Sequence, residues 1–257
     1  MLYKFVICFI AGIGAGLGTG FAGMSAAAVI SPMLITFLGI PAYQAVGIAL
    51  ASDVLASVVS AYTYGKNKNL DIKNGIIMMI SVLCFTMFGS WVSSLVEANT
   101  MGTMSTFMTV ILGFKFILKP VMTTKENMNE KLSAKQRTLR SVFAGVLIGF
   151  ICGFVGAGGG MMMLLILVTV LGYELKTAVG TSVFIMAFTA FTGSVSHIVI
   201  GGMPDIWTLV FCIVSTLLWA QIAAKIANKA SAKVLNRATG CVLIIIGVVT
   251  IVFKYVS

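Results

Sequence analysis

The stretch "GFVGAGGGMMM" (Gly153–Met163) places five glycines within eight residues, deep in apolar sequence. Glycine inside a helix costs up to about 1 kcal/mol against alanine. A chain that gives up helix in so apolar a setting does so for a reason, and that reason decides the fold.

The surroundings set the solvent. Of 257 residues, 59% are hydrophobic and only 9% charged. Runs of about 20 apolar residues with few charges are candidate membrane spans, and such runs cover most of the chain. A soluble domain of this length carries far more charge. The composition therefore reads as an all-α polytopic membrane protein. The net charge of +10 is a matter of membrane topology, and nucleic acid is not an expected partner. The cysteines at 8, 84, 152, 212 and 241 form no CxxC pair and read as small buried hydrophobes.

Sliding the sequence by 133 residues exposes a repeat. "AGIGAGLGTGFAG" (Ala11–Gly23) falls on "AGVLIGFICGFVG" (Ala144–Gly156), Leu38-Gly39 on Leu171-Gly172, and Ala45-Val46-Gly47 on Ala178-Val179-Gly180. From 11 to 47 no gap is needed and 13 of 37 positions match. After one inserted residue near position 65 the offset becomes 134. The chain reads as two copies, 1–120 and 139–257, joined by a basic linker at 121–138 that overlaps the polar stretch "TTKENMNEKLSAKQRTLR" (Thr123–Arg140). The recurrence of the first segment in mid-chain also argues against reading residues 1–24 as a cleaved leader.

Each copy divides into five hydrophobic segments: 5–22, 26–38, 43–64, 75–95 and 102–119, then 141–155, 160–171, 177–200, 206–224 and 236–254. The second of each set is only half a membrane long at ~1.5 Å per residue. Lys and Arg collect in cytoplasmic loops. Placing the linker in the cytoplasm puts every basic residue except Lys4 and Lys254 on that side. An odd number of crossings per copy then makes the repeats inverted. The expected location is the cytoplasmic (inner) membrane, multi-pass.

Three readings compete for the glycines. Gly18–Gly23 matches GxGxxG, but that fingerprint needs a strand and a soluble βαβ unit, and neither is present. Gly12, Gly16, Gly20 and Gly145, Gly149, Gly153 keep a spacing of four and read as helix-packing grooves. Gly156, Gly158, Gly159 and Gly160 do not keep that spacing and read as a break. Irregular backbone at membrane depth is tolerated where it is buried in protein or lines a wet cavity. A short helix beginning after such a break offers unpaired N–H groups and a positive dipole end to an anion. Inverted repeats would bring two broken or re-entrant Gly-rich helices together near the midplane, as in a secondary transporter.

The pattern resembles the sulfite exporter TauE/SafE family, also called the toluene-sulfonate uptake permeases, over the whole chain. The residues that carry the resemblance are "GFVGAGGGMMM" and "LGYELKTAVGTSVF" (Leu171–Phe184), with Ala178, Gly180, Thr181 and Ser182 on the family's A-x-G-T-S signal, and "SPMLITFLGIPAYQAVG" (Ser31–Gly47). The resemblance implies transport of small sulfur oxyanions or organosulfonates such as sulfite and sulfoacetate. Copy one departs from it: Met24-Ser25-Ala26-Ala27-Ala28 stands in place of GxGGG, and Ile48-Ala49 in place of Thr-Ser.

The candidate substrate-binding residues are Gly23, Met24, Ser25 and Ala26 at the first tip, Gly156, Ala157, Gly158, Gly159 and Gly160 at the second, and Thr181 and Ser182 beside them. The hydroxyls could donate to an oxyanion or back-bond to their own helix. Asp53 is the one acidic residue well inside an expected span, and Met186 is its counterpart. It reads as a coupling or gating group, or as a hydrogen-bonded structural acid. His197, matched by Tyr64, and Gln44, matched by Thr177, are weaker coupling candidates. No metal and no cofactor is expected. Trp91, Trp207, Tyr43 and Tyr173 are expected in interfacial belts. Exposed small-residue grooves would suit a homodimer. The reading is a transporter, with an anion channel, a membrane-embedded enzyme or an assembly factor as the alternatives. No nucleophile–base pair supports an enzyme.

Overall fold

The computed structural model describes residues 1–93, 110–111, 113–130, 133–155 and 159–256. The helices in chain order are α1 (Leu2–Ala22), α2 (Ala27–Leu38), α3 (Ala42–Lys66), α4 (Ile72–Ser93), α5 (Lys125–Glu130), α6 (Ala134–Val155), α7 (Gly159–Thr169), α8 (Leu175–Gly201), α9 (Ile206–Lys229) and α10 (Ala232–Val256). No strand occurs among the described residues. Among the described residues, five stretches are long and apolar enough to cross a membrane: Leu2–Ala22, Gln44–Lys66, Leu175–Val199, Ile206–Lys229 and Ala232–Val249. At 12 and 11 residues, α2 and α7 are too short to cross. Much of the expected fifth segment of copy one lies outside the described residues.

Large apolar side chains such as Val58, Ile80, Phe191 and Ile245 face outward, while Ser52, Asp53, Ser57 and Ser60 are buried. An apolar exterior around a partly polar interior suits a lipid solvent. This is an all-α polytopic membrane protein.

The contacts within the bundle exchange when the copies are exchanged. α1 packs along α9, and its counterpart α6 packs along α4, the counterpart of α9. Gly12 lies against Ser215, and Gly145 against Ser81; the glycines are offset by 133 residues and the serines by 134, as the repeat sets them. A Cβ built on Gly16 would stand 2.7 Å from the Thr216 carbonyl oxygen; on Gly149 it would stand 2.6 Å from that of Val82. At Gly12, Gly16, Gly20, Gly145 and Gly149 the grooves read from the spacing of four are thus filled within the chain. At the centre α3 packs on α8. Gly47 meets His197 and Gly180 meets Tyr64, two contacts that also exchange. Gly39 and Gly172, matched by the repeat, close α2 and α7 in the left-handed region at φ 62° and 63°.

Hydrogen bonds place the loops at two ends. Tyr3 donates to the Phe37 carbonyl (3.2 Å), so α1 begins where α2 finishes. At that end Lys4 pairs with Asp205 at 3.4 Å. The Thr208 hydroxyl and N–H, which Asp205 caps, hold its carboxyl below the ordinary range. Lys4 was a basic residue that the charge count left on the minority side, and here an acid compensates it. At the other end Arg140 donates to the Val170 carbonyl (3.2 Å), so α6 begins where α7 finishes. Lys125 there donates to the Lys68 carbonyl (2.7 Å), Lys176 to that of Asn228 (2.9 Å), and Tyr173 to Asp71 (2.7 Å). The basic loops therefore gather at one end of the bundle.

One interfacial expectation is corrected. Tyr173 is fully buried, and burial pushes its phenol well above its usual range. It bonds Asp71, which itself receives the Asn74 N–H at the start of α4. Trp207 is exposed, as a belt residue is. The side chains of Tyr43 and Trp91 lie outside the described residues.

Candidate functional site

The first tip is a break whose every strained feature has a partner. α1 ends on Gly23 at φ 59°, ψ 34°, a left-handed cap that glycine adopts freely. Met24, Ser25 and Ala26 then lead into α2. Carbonyls left over at the end of a helix must be satisfied at membrane depth. Tyr64 on α3 donates to Gly20 (2.8 Å), Thr239 on α10 to Phe21 (2.9 Å), and Ser182 on α8 to Gly23 (2.8 Å). Thr19 donates to Met24 (3.0 Å). Three neighbouring helices thus fix the tip.

The N-terminal end of α2 also meets a side chain of the protein itself. Asp53 is buried on α3 at 1% exposure. Its Oδ2 accepts from the Ser25 hydroxyl at 2.6 Å, and its Oδ1 from that of Ser57 at 3.0 Å. Ala26, the next residue after Ser25, is the N-cap of α2. Ser25 Oγ in turn accepts from the Ala27 N–H (3.3 Å). The carboxylate thus reaches the α2 N-terminus through the Ser25 hydroxyl, and negative charge near a helix N-terminus is favourable.

The other sequence candidates fall as follows. Gly23, Met24, Ser25, Ala26, Asp53 and Ser182 come together. Thr181, one residue from Ser182, turns away and accepts from the Asp71 N–H (3.2 Å) at the basic end. His197 is half-buried over Gly47, about two turns along α8 from the level of Asp53. Gln44 is half-buried in the first turn of α3. Gly156, Ala157 and Gly158 lie outside the described residues; Gly159 and Gly160 open α7. The repeat sets Met186, buried at 3%, where Asp53 stands in copy one.

Sequence reasoning did not single out Ser57, Tyr64 or Thr239 as parts of the first tip. Asp53, Ser57, Ser60 and Tyr64 follow helical spacing, and that stripe was a readable signal. Ser60 is buried and unpartnered on it. No group of three or more His, Cys, Asp or Glu suited to a metal occurs among the described residues.

Comparison with known proteins agrees with this architecture. The family model described as "Sulfite exporter TauE/SafE" matches residues 8–250. The probable membrane transporter protein YunE of Bacillus subtilis is 25% identical, over 95% of this chain and 96% of its own. The probable membrane transporter protein YdhB of the same organism is 26% identical, over 83% and 86%. The probable membrane transporter protein MJ0441 of Methanocaldococcus jannaschii is 29% identical, over 75% and 70%.

The chain belongs to the sulfite exporter TauE/SafE family of membrane transporters.

Proposed function

We propose that this membrane transporter moves a small anion, a sulfur oxyanion or organosulfonate of the sulfite or sulfoacetate type, across the cytoplasmic membrane by alternating access. The two copies are inverted repeats, and the linker lies in the cytoplasm. Support for the inversion comes from the exchanged contacts and from the two helical hairpins: α1–α2 opens at the end with Tyr3 and Phe37, α6–α7 at the end with Arg140 and Val170.

The observation that carries the reading is the carboxylate of Asp53 at the start of α2. Copy one binds an anion at its half-helix tip, and that anion belongs to the chain. Copy two has Met186 in the corresponding place and a glycine-rich tip before α7. The substrate anion takes the place there that Asp53 takes in copy one, held by the N–H groups of Gly158, Gly159 and Gly160. Small residues let the anion approach the backbone closely.

Asp53 is the coupling group. As a carboxylate it accepts both hydroxyls and holds α2 to α3. A proton on either oxygen removes one acceptor, and the tie to Ser25 or Ser57 must rearrange. Loading a proton thereby loosens one half-helix tip as the bundle rocks.

The test is flux into proteoliposomes. Sulfite, sulfoacetate, taurine, thiosulfate, sulfate and an unrelated carboxylate are offered with and without an imposed pH gradient. Concentrative, gradient-dependent movement of a sulfur anion is the expected result. Folded protein that moves none of the sulfur anions would sink the proposed substrate class. Steady flux that never concentrates would sink alternating access.

A further inference from the structure

Two cavities adjoin at the basic end of the bundle, and their walls differ in chemistry. One, of about 550 Å³, is lined by Lys68, Lys73, Lys125 and Arg137, with Asn74 and Thr177 among its polar groups. The other, of about 890 Å³, is apolar and runs between α3 and α8 past Val58, Ala61, Phe184, Phe188 and Phe191. Leu70 and Ile72 belong to both. Lys66 stands at the rim of the apolar groove.

The basic cavity sets four cationic side chains against one lining carboxylate. Its one carboxylate, Asp71, accepts from the Asn74 backbone N–H (3.1 Å), the Asn74 amide (2.7 Å) and Tyr173 (2.7 Å). Among the described residues, no carboxylate lies within 4 Å of Lys68, Lys73 or Lys125. Lys125 instead donates to the carbonyl of Lys68, a residue held at φ 59°. Converging cations in excess of the carboxylate among them attract an anion.

We infer that these joined cavities form a binding site for an anionic glycerophospholipid, its phosphate among Lys68, Lys73, Lys125 and Arg137 and its acyl chain in the groove between α3 and α8. The shared wall at Leu70 and Ile72 gives the ligand its shape: a phosphate at one side and hydrocarbon at the other. A soluble phosphate compound would leave the groove unused. A second copy in the same orientation would bring its own basic end against this one, and like charges repel. Basic pockets between membrane helices and apolar grooves beneath them recognise lipid in this combined way. The site is separate from the glycine tips and independent of the transported substrate.

Native mass spectrometry of the purified full chain tests this. Dioleoyl phosphatidylglycerol is titrated against phosphatidylcholine with the same chains, and against glycerol phosphate, which has the headgroup without the chains. A basic residue at a lipid surface gives about a fivefold preference for negative charge. The wild type should retain phosphatidylglycerol at least tenfold more tightly than phosphatidylcholine. The Lys68→Gln/Lys73→Gln pair should lose most of that ratio. Val58→Trp, which fills the groove, should weaken both lipids alike and keep the ratio. All three positions are exposed, and melting of each variant checks that the fold persists. Equal affinity for the two lipids, an unchanged ratio in the lysine pair, or lipid binding untouched by Val58→Trp would each overturn the proposal. Glycerol phosphate binding as tightly as the intact lipid would overturn it in favour of a soluble phosphate.

Discussion

The two half-helix tips are built from one sequence pattern and have diverged in what they hold. At the first, Ser25 and Ser57 close on Asp53, and Tyr64, Thr239 and Ser182 take up the carbonyls before the break. At the second, glycines stand at 158, 159 and 160 where the first has Ser25, Ala26 and Ala27, and Met186 replaces the acid. The scaffold around them has not diverged: Gly12 and Gly145, Gly16 and Gly149, and Gly39 and Gly172 do the same work in each copy. A duplicated fold can keep its packing symmetric while the residues at its two tips diverge.

Substitutions at matched positions can break this comparison, beginning with the largest effect. Asp53→Asn keeps the size of the side chain and removes its charge. It should leave a folded protein whose pH-driven flux falls by about a hundredfold, the range of effect of a lost general acid–base group. Unchanged pH-driven flux in proteoliposomes would remove Asp53 from coupling. In the scaffold, Gly16→Val and Gly149→Val press a side chain onto backbone atoms in both copies. Each should cost about 1–3 kcal/mol or more, to a similar degree, in thermal unfolding in detergent. A large cost at one position and none at the other would contradict equivalent packing.

Smaller effects sharpen the contrast between the tips. Ser25→Ala strips a donor from a buried carboxylate and should cost about 1–3 kcal/mol. Ser182→Ala leaves only the Gly23 carbonyl short and should cost about 1 kcal/mol. The order of the two melting temperatures is the check. The smallest and most symmetric pair is Gly39→Ala and Gly172→Ala. Neither added Cβ meets an atom within 4 Å, so only the left-handed backbone resists, by about 1–2 kcal/mol each. Equal shifts are expected, and a marked inequality would show that the caps are not equivalent.

Much of the scaffold could be read from the sequence because membrane helices announce themselves locally. The 133-residue offset and the apolar runs located α1 to α4 and α6 to α10, and the start of α2 was expected within one residue of Ala27. The site was less legible. The pairing of Ser25 with Asp53 joins residues 28 apart, and nothing in either local stretch announces it. Thr181 and Ser182 sit side by side in one motif, yet consecutive helical residues point about 100° apart. Only packing decides that Ser182 reaches Gly23 while Thr181 reaches Asp71. Tyr173 was misread because an aromatic near a span end has the same local signature whether it faces lipid or a half-buried carboxylate.

The central claim is that the second tip binds substrate because it lacks the carboxylate that fills the first. Met186→Asp would supply that carboxylate, with Met186→Asn as the neutral control for placing a polar group at a buried position. The measurement is uptake, in proteoliposomes, of the anion that the wild type transports, with melting recorded for all three proteins. The account predicts that Met186→Asp stays folded and loses transport by at least a hundredfold relative to Met186→Asn, because an internal anion now competes for the Gly158–Gly160 N–H groups. Equal transport by two folded variants would contradict it.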